Sequence, residues 1–236
     1  MATGSLLISI FPLPGIPEVA AGDDLAALIE TALKGQDLTP ADGDVLVVTH
    51  KVVSKVEGRT AQVLTDEEYR ALVESEAATI IRRRGTMIIT RTRHGFVCAN
   101  AAVDRSNSPE NAAVMLPEDP DRSAHRLRTA LEHVYGCRLG VLITDTFGRA
   151  WRGGQVDVAI GISGVVSILD MRGNVDHDGR TLTATQIAVA EELAAAADLA
   201  MGKSTGIPVA LIRGSDFLGD GRGTDLIRDP AEDFFL

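Results

Sequence analysis

Short apolar runs alternate with amphipathic stretches along the chain, which is the pattern of a mixed α and β fold. Residues 44–49 and 138–144 are runs of aliphatic and β-branched side chains, and such runs predict strands that are buried on both faces. Residues 23–33 begin with two aspartates and are amphipathic, so they predict a helix with acidic residues at its N-terminus. Residues 123–135 predict another helix. We therefore expect an α+β fold.

The same reasoning predicts the remaining elements. Residues 65–84 predict one long solvated helix, because Thr65 and Glu68 form a capping-box pattern and three arginines end the segment. The alanine-rich residues 183–201 predict a helix as well. Further strands are predicted over residues 6–11, 86–91, 95–99, 156–162, 165–170 and 207–212.

Composition indicates one globular unit over residues 1–236. Of the 236 residues, 45% are hydrophobic and 24% are charged, and no repeat or linker divides them. The net charge of −10 and the scattered basic residues argue against a nucleic-acid partner, which would need a continuous positive face. Because Pro12 interrupts the first apolar run, we expect no signal peptide and no membrane span, and hence a cytoplasmic protein.

The cysteine pattern excludes two further classes. Cys98 and Cys137 are the two cysteines, and they are far apart in sequence. This spacing suggests neither a disulfide framework nor a zinc site, so both are expected to act as small buried hydrophobes.

The segment THKVVSKVEGR follows the strand predicted over residues 44–49 and is the first candidate for chemistry. Residues at the carboxyl end of such a strand often face ligands, and Lys55 could contact a phosphate as a point charge. Alternatively, Lys51 and Lys55 lie one helical turn apart on a solvated face. Spacing alone leaves both interpretations open.

The segment NAAVDRSN is a weaker candidate. Asp104 offers hard oxygen ligands for Mg²⁺ or Mn²⁺, and Asn107 can bind a polar ligand. Alternatively, both side chains only satisfy backbone N–H groups in a turn.

The densest candidate is TDTFGRAWRGGQ, at the end of the strand predicted over residues 138–144. Asp145 and Thr146 are ligand types that hold Mg²⁺ beside nucleotide phosphates, and Arg149 and Arg152 can bind phosphate or carboxylate in bidentate fashion. One aspartate is not enough to hold a metal ion, so we expect Asp104 to converge with Asp145 in space.

Two glycine-rich segments are weaker. Residues 202–204 (GKS) resemble the end of a phosphate-binding loop, but the expected upstream glycine is Ala197, and a helix precedes the segment where a strand is required. Residues 219–223 lack the strand–glycine loop–helix context of a dinucleotide site and are expected to form a flexible turn.

Several segments, in order along nearly the whole chain, resemble the coenzyme F420-0:L-glutamate ligase family: GIPEV, GDVLVVTHKVVSKVEGR, HGFVCANAAVDRSN, ITDTFGRAWRGGQVDVAIGISG and DHDGR. The chain is also similar to the ligase half of bifunctional actinobacterial enzymes, without their fused flavin-dependent reductase domain. The resemblance implies two interlocked subdomains and an intertwined homodimer.

The resemblance also implies a reaction and a set of site residues. GTP, with Mg²⁺ or Mn²⁺, would drive amide formation between L-glutamate and the deazaflavin precursor F420-0 or its dehydro form, with further γ-linked glutamates as a possible extension. The implied metal ligands are Asp104, Asp145 and Thr146, and Arg149 and Arg152 are candidate phosphate or carboxylate contacts. The implied GTP contacts are Ile16, Pro17, Glu18, Val19, His50, Lys55 and Asn107. His50 departs from the small hydroxyl residue that relatives often carry.

Two other functions fit the same residues. A nucleotide-dependent amide ligase for another carboxylate would share the metal and phosphate groups. A GTP-binding regulatory protein without turnover would also share them, although the retained Asp104, Asp145 and Arg149 favour an enzyme.

Overall fold

The computed structural model describes residues 7–105 and 111–233, and it confirms a mixed α+β fold. The helices are α1 (Leu25–Gly35), α2 (His50–Val56), α3 (Asp66–Glu76), α4 (Pro120–Tyr135) and α5 (Val189–Met201). The strands are β1 (Ser9–Pro12), β2 (Val45–Thr49), β3 (Thr60–Gln62), β4 (Ala77–Arg84), β5 (Met87–Thr92), β6 (Val97–Ala99), β7 (Ala112–Val114), β8 (Gly140–Arg149), β9 (Arg152–Ser163), β10 (Leu169–Asp170), β11 (Gln186–Ile187) and β12 (Val209–Arg213).

The main sheet has five strands in the order β1, β12, β2, β8, β9. β2 and β8 are parallel, with Thr49 opposite Thr144, whereas the other neighbours are antiparallel. β2 ends at Thr49, opposite Thr144 in the middle of β8, so the residues that follow β2 lie beside the second half of β8.

Helices cover both faces of the main sheet because its central strands are apolar on both sides. Leu46 and Val48 of β2 belong to a core cluster with α1, α2 and α4. Val45 and Val47, which alternate with them, belong to a second cluster with α5. The period-two alternation of a strand sends neighbouring side chains to opposite faces, so this one strand contributes to both cores.

A smaller unit packs around its own core. It contains the three-stranded sheet β4–β5–β6, the pair β3–β7 and helix α3. Its core cluster includes Val63, Val73, Ile88, Val103 and Met115. β4 is an edge strand of this sheet, and all its residues after Ala77 are exposed.

The single helix predicted over residues 65–84 is wrong in its second half. α3 begins as expected, because the Thr65 hydroxyl accepts from the Glu68 amide and Glu68 binds back to the N-cap. The helix ends at Glu76, and the next eight residues form β4, which pairs antiparallel with β5. Pairing with the next strand, across the two-residue turn of Gly85 and Thr86, overrides local helix propensity here.

Three smaller predictions also need correction. The helix predicted from residue 183 begins only at Val189. The strand predicted over 165–170 is reduced to β10 and an isolated bridge at Val165. Residues 219–223 are packed rather than flexible: a Cβ at Gly221 would lie 2.3 Å from the Ser167 nitrogen. No helix within 7–105 or 111–233 is long and apolar enough to cross a membrane.

Candidate active site

A cavity of about 360 Å³ opens where β2 ends beside the middle of β8. The N-terminal loop forms one wall, and the loop after α5 forms another. The lining residues are Ile16, Pro17, Glu18, Thr49, His50, Lys51, Val52, Lys55, Thr144, Asp145, Thr146, Asp157, Asp198, Met201, Gly202, Lys203, Ser204, Gly206, Ile207 and Pro208. Acidic, basic and hydroxyl side chains thus converge from segments that are distant in sequence, as is typical of a ligand site.

His50, the residue after β2, faces Asp145 in the middle of β8. His50 is 1% exposed, and its Nε2 lies 3.2 Å from Asp145 Oδ1. Its Nδ1 lies 3.4 Å from Ser54 Oγ. This contact does not meet the criteria for a hydrogen bond, and within the described residues the buried Nε2 has no hydrogen-bond partner. A buried nitrogen in this state, at the cavity wall, can serve a bound ligand.

Two lysines on α2 bind carboxylates from other segments. Lys55 Nζ donates to Glu18 Oε1 of the N-terminal loop, and Lys55 is buried, at 8% exposure. Lys51 Nζ lies 2.8 Å from Asp104 Oδ2. The solvated face that was the alternative for Lys51 and Lys55 is therefore not observed, because Lys55 is buried and both residues line the cavity.

Asp157 is a site residue that the sequence analysis missed. It is 3% exposed and accepts hydrogen bonds from Thr146 Oγ1 at 2.6 Å and Thr144 Oγ1 at 3.0 Å. Burial raises the pKa of its carboxyl group, while the two threonine hydroxyls oppose that shift. A carboxylate inside the apolar strand VDVAIGIS was the signal that could have found it, since buried charges are rare without a role.

Lys203 brings a third lysine to the cavity. Its Nζ donates to Thr146 Oγ1 at 2.6 Å, and its charge favours the ionised form of Asp157. Residues 202–204 follow α5 and precede β12, so they do not form a strand–loop–helix phosphate motif. They nevertheless line the cavity, which the motif comparison could not show.

The predicted site residues separate into three groups. Ile16, Pro17 and Glu18 line the cavity along with His50, Lys55, Asp145 and Thr146. Val19 is buried in the core that α1, α2 and α4 share. Asn107 lies outside the described residues.

Three predicted site residues, Asp104, Arg149 and Arg152, do not line the cavity. Asp104 forms a bridge with Val114 and does not line the cavity. Asp104 contacts Lys51, and Asp145 contacts His50. Because Lys51 and His50 are consecutive, the two aspartates approach the same turn of α2. Arg149 and Arg152 pair with each other at the tip of the β8–β9 hairpin. Neither of them is among the lining residues.

Comparison with known proteins identifies the family. Residues 15–214 match the family model described as F420-0:Gamma-glutamyl ligase. The chain belongs to this family.

Three archaeal relatives, each named Coenzyme F420:L-glutamate ligase, are similar to the chain over nearly their whole length. The protein of Methanothermobacter thermautotrophicus is 41% identical, with 97% of this chain and 98% of the relative covered. That of Methanopyrus kandleri is 41% identical, with 97% of each covered. That of Archaeoglobus fulgidus is 37% identical, with 96% and 95% covered.

In this member of the F420-0:gamma-glutamyl ligase family, the oxygen atoms at the cavity wall fit one divalent cation together with phosphate. No group of three or more His, Cys, Asp or Glu side chains within the described ranges could hold a metal ion by itself. Asp145 and Thr146 still present hard oxygen atoms at the cavity wall. Mg²⁺ usually takes one or two protein carboxylates and completes its coordination with water and phosphate oxygens. Asp145 with Thr146 is therefore a sufficient protein donor set beside a bound phosphate, although the second carboxylate expected from Asp104 is not among the lining residues.

Proposed function

We propose that this chain forms an amide bond between F420-0 and L-glutamate, using GTP and a divalent cation, and that it can add further γ-linked glutamates. Its membership of the F420-0:Gamma-glutamyl ligase family and the names of its relatives support the acceptor and the amino acid. The observation that carries the proposal is the cavity where β2 ends beside β8, which combines Lys55 and Lys203 with Asp145 and Thr146.

The reaction needs activation, because a carboxylate and an ammonium group do not condense in water. In the first step, a carboxylate oxygen of F420-0 attacks the γ-phosphorus of GTP. A carbon–oxygen–phosphorus linkage forms, the bond to the β-phosphate oxygen breaks, and GDP leaves. In the second step, the glutamate amine attacks the acyl carbon and phosphate leaves. The amine loses its proton to solvent.

The chain's own residues contribute position and charge, which dominate phosphoryl transfer. Lys55 is held in place by Glu18 and would contact a phosphate group. Lys203, beside Thr146, would neutralise charge on a second phosphate oxygen. Asp145 and Thr146 would hold Mg²⁺ or Mn²⁺, which supplies additional positive charge when bound.

The loop containing Pro17 and Glu18 closes one side of the cavity, and His50 faces its interior. We assign both to nucleotide binding. Arg149 and Arg152, at the hairpin tip, would reach a carboxylate or phosphate of a substrate that extends out of the cavity.

A second copy of the chain would cover β4. Ile80 and Ile81 of β4, Met87 of β5 and Val97 of β6 are large exposed hydrophobic residues on the small sheet. An edge strand with apolar residues is a template for pairing, which supports the homodimer that the family resemblance implies. Light scattering should give the mass of a dimer, and Ile81→Glu should shift it towards the monomer. An unchanged mass in that variant would place the contact elsewhere.

The proposal is tested by product formation. Purified protein is incubated with F420-0, GTP, L-glutamate and Mn²⁺ or Mg²⁺, and the deazaflavin products are followed by mass spectrometry. We expect increments of one or more glutamyl units that require every component. Asp145→Asn should abolish most of the product. Asp178→Asn should not, because Asp178 is an exposed carboxylate outside the cavity. Folded protein that binds GTP without forming product from F420-0 would refute the acceptor or the catalytic role.

A further inference from the structure

A second cavity, of about 260 Å³, lies beside β9, the edge strand of the main sheet. Phe147 and Val158 form its back wall, and Phe96 and Val97 extend that wall from the small sheet. The Phe96 and Phe147 rings meet edge to face, with centroids 6.3 Å apart. The cavity therefore has an aromatic wall, which favours a flat apolar ligand.

Two polar side chains project into this aromatic cavity without partners. Glu191 lies at the start of α5, and Arg91 lies on β5. Among the described residues, neither side chain has a hydrogen bond or ion pair. Glu191 is half-buried, and desolvation raises the pKa of its carboxyl group. At the cavity, Glu191 can offer an acceptor and Arg91 a donor to a ligand.

The second cavity is adjacent to the first. Asp145 lines the first cavity and Phe147 lines the second. They are two residues apart on β8, in a stretch where the register with β9 is regular, so their side chains project from the same face. Two residues along a strand span about 7 Å. A single extended ligand can therefore occupy both cavities.

We propose that this second cavity binds the deazaflavin ring system of the acceptor while the acceptor's carboxylate extends towards Asp145. This inference rests on the proposed function, because it takes the acceptor to be F420-0. The tricyclic ring is flat and apolar on its faces, and its pyrimidine edge carries an N–H donor and carbonyl acceptors. Glu191 would accept from the N–H group, and Arg91 would donate to a carbonyl.

The test separates acceptor binding from nucleotide binding. Binding of F420-0 is followed through the fluorescence of its deazaflavin ring, and binding of GTP by calorimetry. Phe147→Leu should raise the dissociation constant and KM for F420-0 about threefold to tenfold, through lost aromatic contact. Glu191→Gln should raise both about tenfold, through a lost charge-assisted hydrogen bond. In both variants, kcat at saturating F420-0 and the affinity for GTP should stay within about twofold of wild type.

Glu192→Gln is the matched control, since Glu192 is the exposed neighbour of Glu191 on the same helix. Thermal unfolding checks that each variant is folded. As a second measurement on the unaltered protein, F420-0 should slow hydrogen exchange at the start of α5 and in residues 226–228. Wild-type KM in both folded variants, or no protection by F420-0 in these two segments, would overturn the ring assignment while leaving the ligase activity intact. A protein that neither binds nor modifies F420-0 would refute both proposals.

Discussion

Replacing Asp157 by Asn tests whether this buried carboxylate orients Thr146. The Thr146 hydroxyl donates its hydrogen to Asp157 Oδ1 at 2.6 Å, which leaves the lone pairs of its oxygen for other ligands. Lys203 already donates to that oxygen. An asparagine amide can donate to Thr146 instead, and the hydroxyl would then turn its hydrogen towards the cavity. The variant therefore changes the orientation of a ligand without removing it.

The expected effect on metal binding is larger than the effect on stability. Loss of a partner that orients a metal ligand typically costs about 10- to 100-fold in metal affinity or activity. We expect that loss in the affinity of the GTP-bound protein for Mn²⁺, measured by titration, and a similar loss in kcat. The free energy of unfolding should change by only about 1 kcal/mol, because relief of carboxylate burial offsets the weaker hydrogen bonds. Burial already raises the pKa of Asp157, which shows that its ionised form is destabilised.

The matched control is Thr144→Val, which removes the other hydroxyl that donates to Asp157. Thr144 is fully buried, so its loss should lower stability by about 1 kcal/mol while leaving most of the affinity for Mn²⁺. An Asp157→Asn variant that keeps wild-type Mn²⁺ affinity and kcat would refute the orienting role. Equal losses of Mn²⁺ affinity in Thr144→Val and Asp157→Asn would also contradict it.

Three further predictions concern Lys55, Gly161 and the cysteines. Lys55→Met should weaken GTP binding about 10- to 150-fold in calorimetry, because one charge-assisted hydrogen bond contributes about 1.5–3 kcal/mol. Gly161→Ala should lower the free energy of unfolding by about 1–3 kcal/mol in urea titrations, since its Cβ would lie 2.4 Å from the Pro120 carbonyl oxygen. At pH 8, a thiol reagent should modify Cys137 faster than Cys98: burial raises the pKa of both thiols, that of Cys98 to about 12, but Cys98 is buried whereas Cys137 is partly exposed.

Each of these has a control. Lys34→Met changes an exposed lysine outside the cavity and should leave GTP binding unchanged. Gly153 lies on the same strand as Gly161 but has open space around its Cβ position. Gly153→Ala should therefore leave the free energy of unfolding nearly unchanged. In denaturant, both cysteines should react. Equal GTP affinities for the two lysine variants, equal stabilities for the two glycine variants, or rapid reaction of Cys98 in the folded protein would contradict the respective argument.

The sequence was sufficient to predict elements whose local pattern agrees with their final environment. β2 and the start of α3 were predicted because an apolar β-branched run and a capping box act within a few residues. β4 was not, because AATIIRRR suits a helix by composition and becomes a strand through pairing with β5. The strand partner lies outside the segment, across the turn of Gly85 and Thr86, so the composition of residues 77–84 alone does not reveal the pairing.

The same distinction explains what was missed in the site. Asp145 and Thr146 were identified because they follow the apolar run of residues 138–144 directly, although β8 continues through them to Arg149. Asp157 was missed because its role depends on the register of β9 against β8, which sets Asp157 opposite Thr146. Lys203 was not predicted as a site residue, because residues 202–204 do not match a phosphate-binding loop. The loop that carries Lys203 nevertheless lines the cavity.

The parallel pairing of β2 with β8 links ligand binding to folding of the whole chain. Thr49 and Thr144 are neighbours in the sheet but are roughly 95 residues apart in sequence, so the cavity exists only after a long loop has closed. A fragment that ends before β8 can hold Lys55 and still has no cavity. Any nucleotide that binds there must stabilise the entire fold, by about 2.7 kcal/mol at a concentration one hundred times its dissociation constant. Thermal unfolding with and without GTP is thus a measure of affinity that requires no turnover.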